Sequence, residues 1–265
     1  MENICFQIDR MKVEVHPDRK NAGRAAAQAA ADYLHQLGSV QAEIGVIFAT
    51  GASQLDTLRA LVSLPGIPWD KIVGFHMDEY VGIDEHHPAS FRRYLRENLT
   101  TRVKMREFFE INGSTPDHDA VIRDYARRLR AANPQLCLLG IGENGHLAFN
   151  DPPEADFNDP VDVKIATLDT ECRQQQSAEG WFASIDEVPA TAITLTIPTL
   201  MRVPRLIASV PGKRKMQIVK RAFTEPISTS CPATILRTHP DATVYLDPDS
   251  AAELDEMKQA GNSSS

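Results

Sequence analysis

The chain has 265 residues, a net charge of −8 and 42% hydrophobic residues, which are values of a globular domain with a substantial core. The acidic balance argues against a nucleic acid or an anionic membrane as the main partner, although a small anion can still bind at a few local cations. Four widely spaced cysteines without a C-x-x-C pair exclude the usual zinc-ribbon and redox motifs and give no dense disulfide framework.

The first residues and the apolar runs are typical of a cytoplasmic protein. The opening MENICFQIDR lacks a cationic segment followed by a long apolar one, so we expect no signal peptide. No run approaches the roughly 18 apolar residues of a membrane span. We expect a reducing cytoplasm, one domain over residues 1–258 and a flexible tail over residues 259–265.

Short apolar runs alternate with amphipathic stretches along the chain. In chain order, the patterns predict strands over residues 12–16, 43–50, 71–80, 106–111, 135–142, 161–168, 192–197, 205–210 and 243–247. Helices are predicted over residues 21–38, 54–62, 88–98, 119–131, 213–223 and 250–258. This order predicts a three-layer α/β fold with a mostly parallel central sheet and helices on both faces.

The loop after the strand at residues 135–142 combines three glycines with a histidine. Gly140–Gly145, GIGENG, formally matches a dinucleotide fingerprint. The prolines Pro152 and Pro153 nevertheless prevent the long helix that would have to begin at its last glycine. A plain connecting turn is the alternative, but it leaves His146 unexplained, because a histidine at the C-terminal end of a strand is well placed for proton transfer.

The loop HMDEY places two carboxylates just after another buried strand. Asp78 and Glu79 would point in different directions if the chain is still extended, so we expect only one of them at a site. Asp78 is the better candidate for a general base, and Glu79 for a structural role. A metal site formed with His76, His86 and His87 is disfavoured, since their spacing matches no metal-binding motif.

Two further loops could bind a phosphate. One joins a strand to a helix through small residues whose backbone N–H groups can hold an anion: Thr50, Gly51, Ala52 and Ser53. Ser53 could equally be a simple N-cap. In the other, PGKRK, the cations Lys213, Arg214 and Lys215 open a helix, where the helix dipole opposes them and a bound anion would favour them. A solvated charged turn is the alternative for this loop.

Taken in order, the motifs resemble the glucosamine-6-phosphate deaminase (isomerase) family, whose fold is shared with 6-phosphogluconolactonases. The stretches that carry the resemblance are TGAS, FHMDEYVGI, LGIGENGHLAFNDP, VPATAITLTIPTL and PGKRK. The resemblance implies conversion of glucosamine 6-phosphate and water into fructose 6-phosphate and ammonia. It also implies that no cofactor and no metal is required.

The resemblance assigns roles to residues of this chain. His146 would act as the acid–base group at the ring oxygen, and Asp78 would move a proton from C2 to C1. Asp151 would orient His146, with Asn144 beside them. The phosphate would bind the backbone of the TGAS loop, with Lys215 as its cation.

Three departures from the family pattern limit this transfer. Members usually carry glutamate at position 151, and Asp151 is one methylene shorter, which leaves its reach to His146 open. Position 144 is aspartate in some members, whereas Asn144 supplies no charge. The phosphate-binding arginine has no obvious counterpart, and Arg173 is our candidate for it. An effector pocket is not evident after Asp151, so we expect no allosteric regulation.

Three alternatives stay open beside the deaminase. A lactonase on the same fold would let His146 activate water, but lactonases typically continue GH-x-A-S-L-F-P where this chain has GHLAFNDP. A sugar-phosphate sensor would have lost the chemistry, against which the retention of Asp78 and His146 argues. Another amino-sugar phosphate could be the substrate. A homo-oligomer is compatible with these residues, which do not determine the oligomeric state.

Overall fold

The computed structural model describes residues 3–178 and 180–254. The predicted tail, residues 259–265, lies outside the described residues. Residues 255–258 of the last predicted helix lie outside them too, and its described part, residues 250–254, forms turns over residues 250–253 and not a helix. No helix in the described part of the chain is both long and apolar enough to cross a membrane.

The strands form one large and one small sheet. They are β1 (Ile4–Ile8), β2 (Met11–Val15), β3 (Ile44–Phe48), β4 (Ile72–His76), β5 (Asp78–Tyr80), β6 (Glu107–Phe109), β7 (Leu136–Leu139), β8 (Val163–Thr167), β9 (Thr191–Leu195), β10 (Arg205–Ser209) and β11 (Ala242–Leu246). The large sheet has the order β1-β2-β11-β10-β7-β3-β4-β6. All its neighbours are parallel except β1 and β2, which form an antiparallel hairpin. The prediction of a mostly parallel central sheet is confirmed.

Helices cover both faces of this sheet. They are α1 (Arg19–Val40), α2 (Leu55–Leu61), α3 (Phe91–Leu95), α4 (His118–Ala132), α5 (Thr170–Ala178), α6 (Ile197–Met201) and α7 (Met216–Thr224). In the fully buried strand β3, Val46 and Phe48 pack with α1 in one apolar cluster, whereas Ile47 packs with α4 and α7 in another. Alternate side chains of one strand thus enter opposite cores, which confirms the three-layer architecture.

One predicted strand is divided between the two sheets. Residues 71–80 do not form a single strand, because the chain leaves the large sheet at Met77. Its continuation, β5, pairs antiparallel with β9, which also pairs antiparallel with β8. Alternation of side chains indicates extended backbone but not which neighbour it pairs with. The crossing places Asp78 at the junction of the two sheets, at the carboxyl end of β4.

Candidate active site

A cavity of about 450 Å³ lies at the carboxyl ends of the parallel strands. Loops after β3, β4, β7 and β10 line it, and these are the four loops that the sequence predicted to bind a ligand. Predicted site residues that line the cavity are Thr50, Gly51, Ala52, Ser53, Asp78, His146 and Lys215. Asn144 and Asp151 lie directly behind His146, and Arg173 does not reach the cavity wall.

Asp78 is a nearly buried carboxyl group in the cavity wall, with 6% of its surface exposed. Burial, together with the nearby charge of Glu79, raises the pKa of Asp78 to about 8. A carboxylate with so high a pKa is a much stronger base than an ordinary aspartate. Asp78 is therefore suited to remove a proton from carbon.

Glu79 has a structural role at the start of α3. Its carboxylate accepts hydrogen bonds from Ser90 Oγ and from the backbone N–H groups of Phe91 and Arg92. The Arg92 side chain adds an ion pair at 3.3 Å. Since these contacts occupy the carboxylate, of the two neighbouring acids only Asp78 lines the cavity.

His146 lies against Asp151, so the aspartate side chain reaches the imidazole although it is shorter than glutamate. Nδ1 of His146 is 2.9 Å from Oδ1 of Asp151. Although this distance is short, Nδ1 makes no hydrogen bond of ordinary angle, so Oδ1 of Asp151 does not lie along the N–H direction of the ring. A side chain at Gly142 would bring its Cβ to 2.2 Å from Cε1 of the imidazole. The loop thus requires glycine at this position to admit the histidine ring.

Both oxygens of Asp151 accept hydrogen bonds. Nδ2 of Asn144 donates to Oδ1 of Asp151 at 3.1 Å, and the Asp169 N–H donates to Oδ2 at 2.9 Å. Oδ1 of Asn144 accepts from the backbone N–H of His146 at 3.0 Å. Burial alone would raise the pKa of Asp151, but the adjacent His146 and these hydrogen bonds lower it below its ordinary value. Asp151 is thus a charged partner for the imidazole.

His146, Asp151 and Cys172 could together be considered as metal ligands. Their ligand atoms lie within 4.8 Å of one another, and they are the one such grouping found among the described residues. Burial raises the pKa of the Cys172 thiol well above its usual value. A metal ion would therefore have to displace a firmly held proton, and a dyad of His146 and Asp151 accounts for this arrangement without an ion.

The cavity is also lined by cations that follow two of the strands. Gly51 and Gly212 have φ values of 91° and 95°, and each precedes a short 3-10 turn that opens a helix. The second turn carries Lys213, Arg214 and Lys215, which all line the cavity. Backbone N–H groups and cationic side chains that line one cavity are suited to a phosphate.

Arg19 is a cavity residue that sequence reasoning missed. From the first turn of α1 it lines the cavity, donates to the carbonyl of Ala52 and pairs with Asp56 at 2.6 Å. By contrast, the Arg173 guanidinium donates to the carbonyls of Ile185 and Val188. This geometry does not support a phosphate contact by Arg173.

Helix α5, which sequence patterns did not predict, supplies another wall. Gln175 and Gln176 line the cavity beside Glu143 and Trp181. The Glu143 N–H donates to Oε1 of Gln175 at 2.9 Å, and the Tyr80 hydroxyl donates to Gln176 at 2.8 Å. A run of glutamines in a polar segment carries no periodic signal, so only the fold reveals these side chains.

The sequence model of the family described as "Glucosamine-6-phosphate isomerases/6-phosphogluconolactonase" matches residues 17–245. The chain belongs to this family. The resemblance inferred from the motifs is therefore confirmed at the level of the family, over most of the chain.

Relatives within the glucosamine-6-phosphate isomerase/6-phosphogluconolactonase family are similar in sequence and in fold. A glucosamine-6-phosphate deaminase of Exiguobacterium sibiricum is 34% identical and is covered over 92% of its length by 98% of this chain. The solved structure of a monomeric glucosamine-6-phosphate deaminase is similar with a TM-score of 0.82 at 28% identity, over 91% of this chain and 98% of that one. The structure of a 6-phosphogluconolactonase from Trypanosoma brucei is similar with a TM-score of 0.75 at 19% identity, over 91% of this chain and 98% of that one. This likeness shows a shared fold only.

Proposed function

We propose that this protein converts glucosamine 6-phosphate and water into fructose 6-phosphate and ammonia, as a step of amino-sugar catabolism in the cytoplasm. The observation that carries the proposal is that Asp78 and His146 line the same cavity as the cations Arg19, Lys213, Arg214 and Lys215. Similarity to glucosamine-6-phosphate deaminases over nearly the whole chain supports it. The partner is then a small phosphosugar.

In this proposal the phosphate binds beside the cations that line the cavity. The N–H groups after Gly51 and the side chains of Arg19 and Lys215 surround the space available to it. Held there, the sugar extends toward Asp78 and His146. Binding energy from the phosphate then serves to orient the reacting carbons.

His146 opens the pyranose ring. It transfers a proton between the anomeric hydroxyl and the ring oxygen, which breaks the bond between C1 and that oxygen and yields the aldehyde. Asp151 lies 2.9 Å from Nδ1 and keeps the other ring nitrogen, Nε2, available for this transfer. In this transfer His146 accepts the proton as an uncharged imidazole and then donates it as an imidazolium ion.

Asp78 carries out the isomerisation. It removes the C2 proton from the open-chain aldehyde and returns a proton at C1, while the aldehyde oxygen takes the proton that the substrate's ammonium group loses. The aldehyde thereby becomes a hydroxyl group, and an imine remains at C2. Water adds to this imine, and the C2–N bond breaks to release ammonia and leave the ketone. The cationic amine of the substrate favours the ionised form of Asp78 on binding, since an opposite charge nearby lowers the pKa of a carboxyl group.

Two alternatives remain as competing proposals. A lactonase would hydrolyse a phosphosugar lactone with water activated by His146, and no residue of the cavity specifically favours it. A different amino-sugar phosphate is the closer rival, because Gln175, Gln176 and Trp181 line the cavity and amide side chains can bind the hydroxyl groups of more than one sugar. A panel of substrates separates these proposals.

The test offers purified protein glucosamine 6-phosphate, its C4 epimer galactosamine 6-phosphate and 6-phosphogluconolactone in parallel. We expect ammonia and a ketose phosphate from the first substrate at a kcat/KM at least about 100-fold above the other amino sugar. Lactone hydrolysis above its spontaneous rate, without ammonia release from either amino sugar, would reject the proposal.

A further inference from the structure

Asp169 lies behind the pair of His146 and Asp151, and the mechanism above gives it no role. Its backbone N–H donates to Oδ2 of Asp151 at 2.9 Å, and its own Oδ2 accepts from Nδ2 of Asn144 at 3.0 Å. The same Asn144 nitrogen donates to Oδ1 of Asp151 at 3.1 Å. Asp169 thus contacts both residues that hold His146 in place.

Helix capping explains only half of this side chain. Asp169 directly precedes α5, and its Oδ1 accepts from the Cys172 N–H at 2.6 Å, as an N-cap does. A serine or an asparagine would serve as an N-cap equally well. The second carboxylate oxygen of Asp169 bonds to Asn144, which capping does not require.

The neutral amide of Asn144 lies between two carboxylates. One NH₂ group donates to Asp151 and to Asp169, while the amide oxygen accepts from His146 N–H. A carboxylate at position 144 would face two others without a proton between them, which is unfavourable in a buried site. The amide at position 144 and the charge at position 169 therefore depend on each other.

We propose that Asp169 is a positioning residue for the reaction: through the neutral bridge of Asn144 it fixes Asp151 and His146 and adds negative charge behind the imidazole. Asp169 does not line the cavity, so it acts through its neighbours. Among the described residues, Asp151 and Cys172 lie beside the imidazole. The charged or titratable side chains that line the same cavity as His146 are Arg19, Asp78, Glu143, Lys213, Arg214 and Lys215. Turnover as a readout rests on the proposed function, whereas a titration of His146 does not.

Two substitutions and their combination test the proposal. In Asp169→Asn the side chain keeps only one acceptor oxygen, so one of the two hydrogen bonds that the carboxylate accepts is lost in either orientation of the amide. We expect kcat to fall about 10-fold or more with little change in KM. Asn144→Asp brings three carboxylates together and also lowers kcat. In the double variant the asparagine at position 169 can donate to the aspartate at position 144 and still cap α5.

The decisive result is that the effect of Asp169→Asn on kcat reverses its sign between the two backgrounds. We expect Asp169→Asn, which is harmful in the wild-type background, to raise kcat about 10-fold when it is added to Asn144→Asp. Loss by the same factor in both backgrounds would mean that Asp169 is only a helix cap, and would overturn the proposal. The matched control is Asp117→Asn at the N-cap of α4, where Asp117 accepts from the Ala120 N–H at 2.9 Å. It should leave kcat unchanged.

A second readout needs no substrate. We expect NMR to show the imidazole of His146, assigned with His146→Ala, titrating about one pH unit lower in Asp169→Asn and unchanged in Asp117→Asn. An unchanged titration in Asp169→Asn would overturn the proposal even if turnover fell. If the wild-type protein turns over no amino-sugar phosphate, the proposed function fails, and this titration still decides the role of Asp169.

Discussion

Asp78 illustrates how a single residue acquires its reactivity from its surroundings. Burial is the main cause of its pKa of about 8, and the charge of Glu79 adds to it. Because the base must be ionised in the free enzyme, we expect kcat/KM to rise with pH and to level off above about 8. A pH profile that is flat from pH 5 to about pH 9 would contradict this assignment.

The same raised pKa carries a cost in stability. A carboxyl group whose pKa is raised by folding destabilises the folded state progressively as pH rises from its unfolded value, near 3.8, to about 8. We therefore expect Asp78→Asn to abolish turnover yet to increase the free energy of unfolding by about 1–3 kcal/mol at pH 8.5. Denaturant unfolding at pH 8.5 and at pH 4.5 checks this, since most of the gain should vanish at the lower pH. Equal stability of both proteins at pH 8.5 would argue against a costly buried charge.

Asp151 is matched to its surroundings despite being shorter than glutamate. Both of its oxygens accept hydrogen bonds, from Asn144 and Asp169, and the residue is fully buried. We expect Asp151→Ala to lower kcat about 100-fold, and Asp151→Glu to lower it about 10-fold, because the extra methylene must displace these donors. Steady-state kinetics on variants with native circular dichroism checks both values. A glutamate variant as active as the wild type would show that the loop is not built around aspartate.

At the residue scale, the sequence identified the groups whose chemistry is distinctive and missed those defined only by position. Asp78, His146, Asn144 and Asp151 were predicted as one site, and the structure brings them together. Whether they act as proposed stays a prediction. Arg19 and Gln175 could not be found, since nothing in their local patterns distinguishes them from solvated surface residues.

At the scale of elements, the glycine loop after β7 is shaped by the imidazole it surrounds. The Gly142 N–H donates to the carbonyl of His146 at 3.0 Å, and the ring lies where a Cβ at Gly142 would be. We expect Gly142→Ala to displace the ring, lowering kcat at least about 100-fold and stability by about 1–3 kcal/mol. Kinetics and denaturant unfolding measure both effects.

The double variant with His146→Ala provides the control for this prediction. Without the ring, the added methyl group of Gly142→Ala has space, and its effect on stability should largely disappear. An equal loss of stability in both backgrounds would mean that the glycine is needed for another reason.

Element boundaries followed from the sequence where periodicity was strong, as in α1 and α4, whose predicted spans lie within the observed ones. The division of residues 71–80 between two sheets could not be predicted, because it depends on pairing with β9, more than a hundred residues away in the chain. That division matters for function, since it directs Asp78 into the cavity.

At the scale of the whole molecule, the alternation of apolar strands and helices was sufficient to predict the fold. Ligands in such folds bind at the carboxyl ends of parallel strands, and the structure brings four loops, distant in sequence, around one cavity there. The hairpin at the sheet edge was not predicted, because no strand was predicted over β1. The small antiparallel sheet was not predicted either, since its strands read like any other extended segment.

The whole account depends on one coupled outcome, the release of ammonia together with isomerisation. Glucosamine 6-phosphate deuterated at C2 should yield fructose 6-phosphate and ammonia in equal amounts, more slowly than the unlabelled sugar, as followed by NMR and an ammonia assay. Asp78→Asn should yield neither product. Ammonia without ketose, ketose without ammonia, or normal turnover by Asp78→Asn would contradict the account.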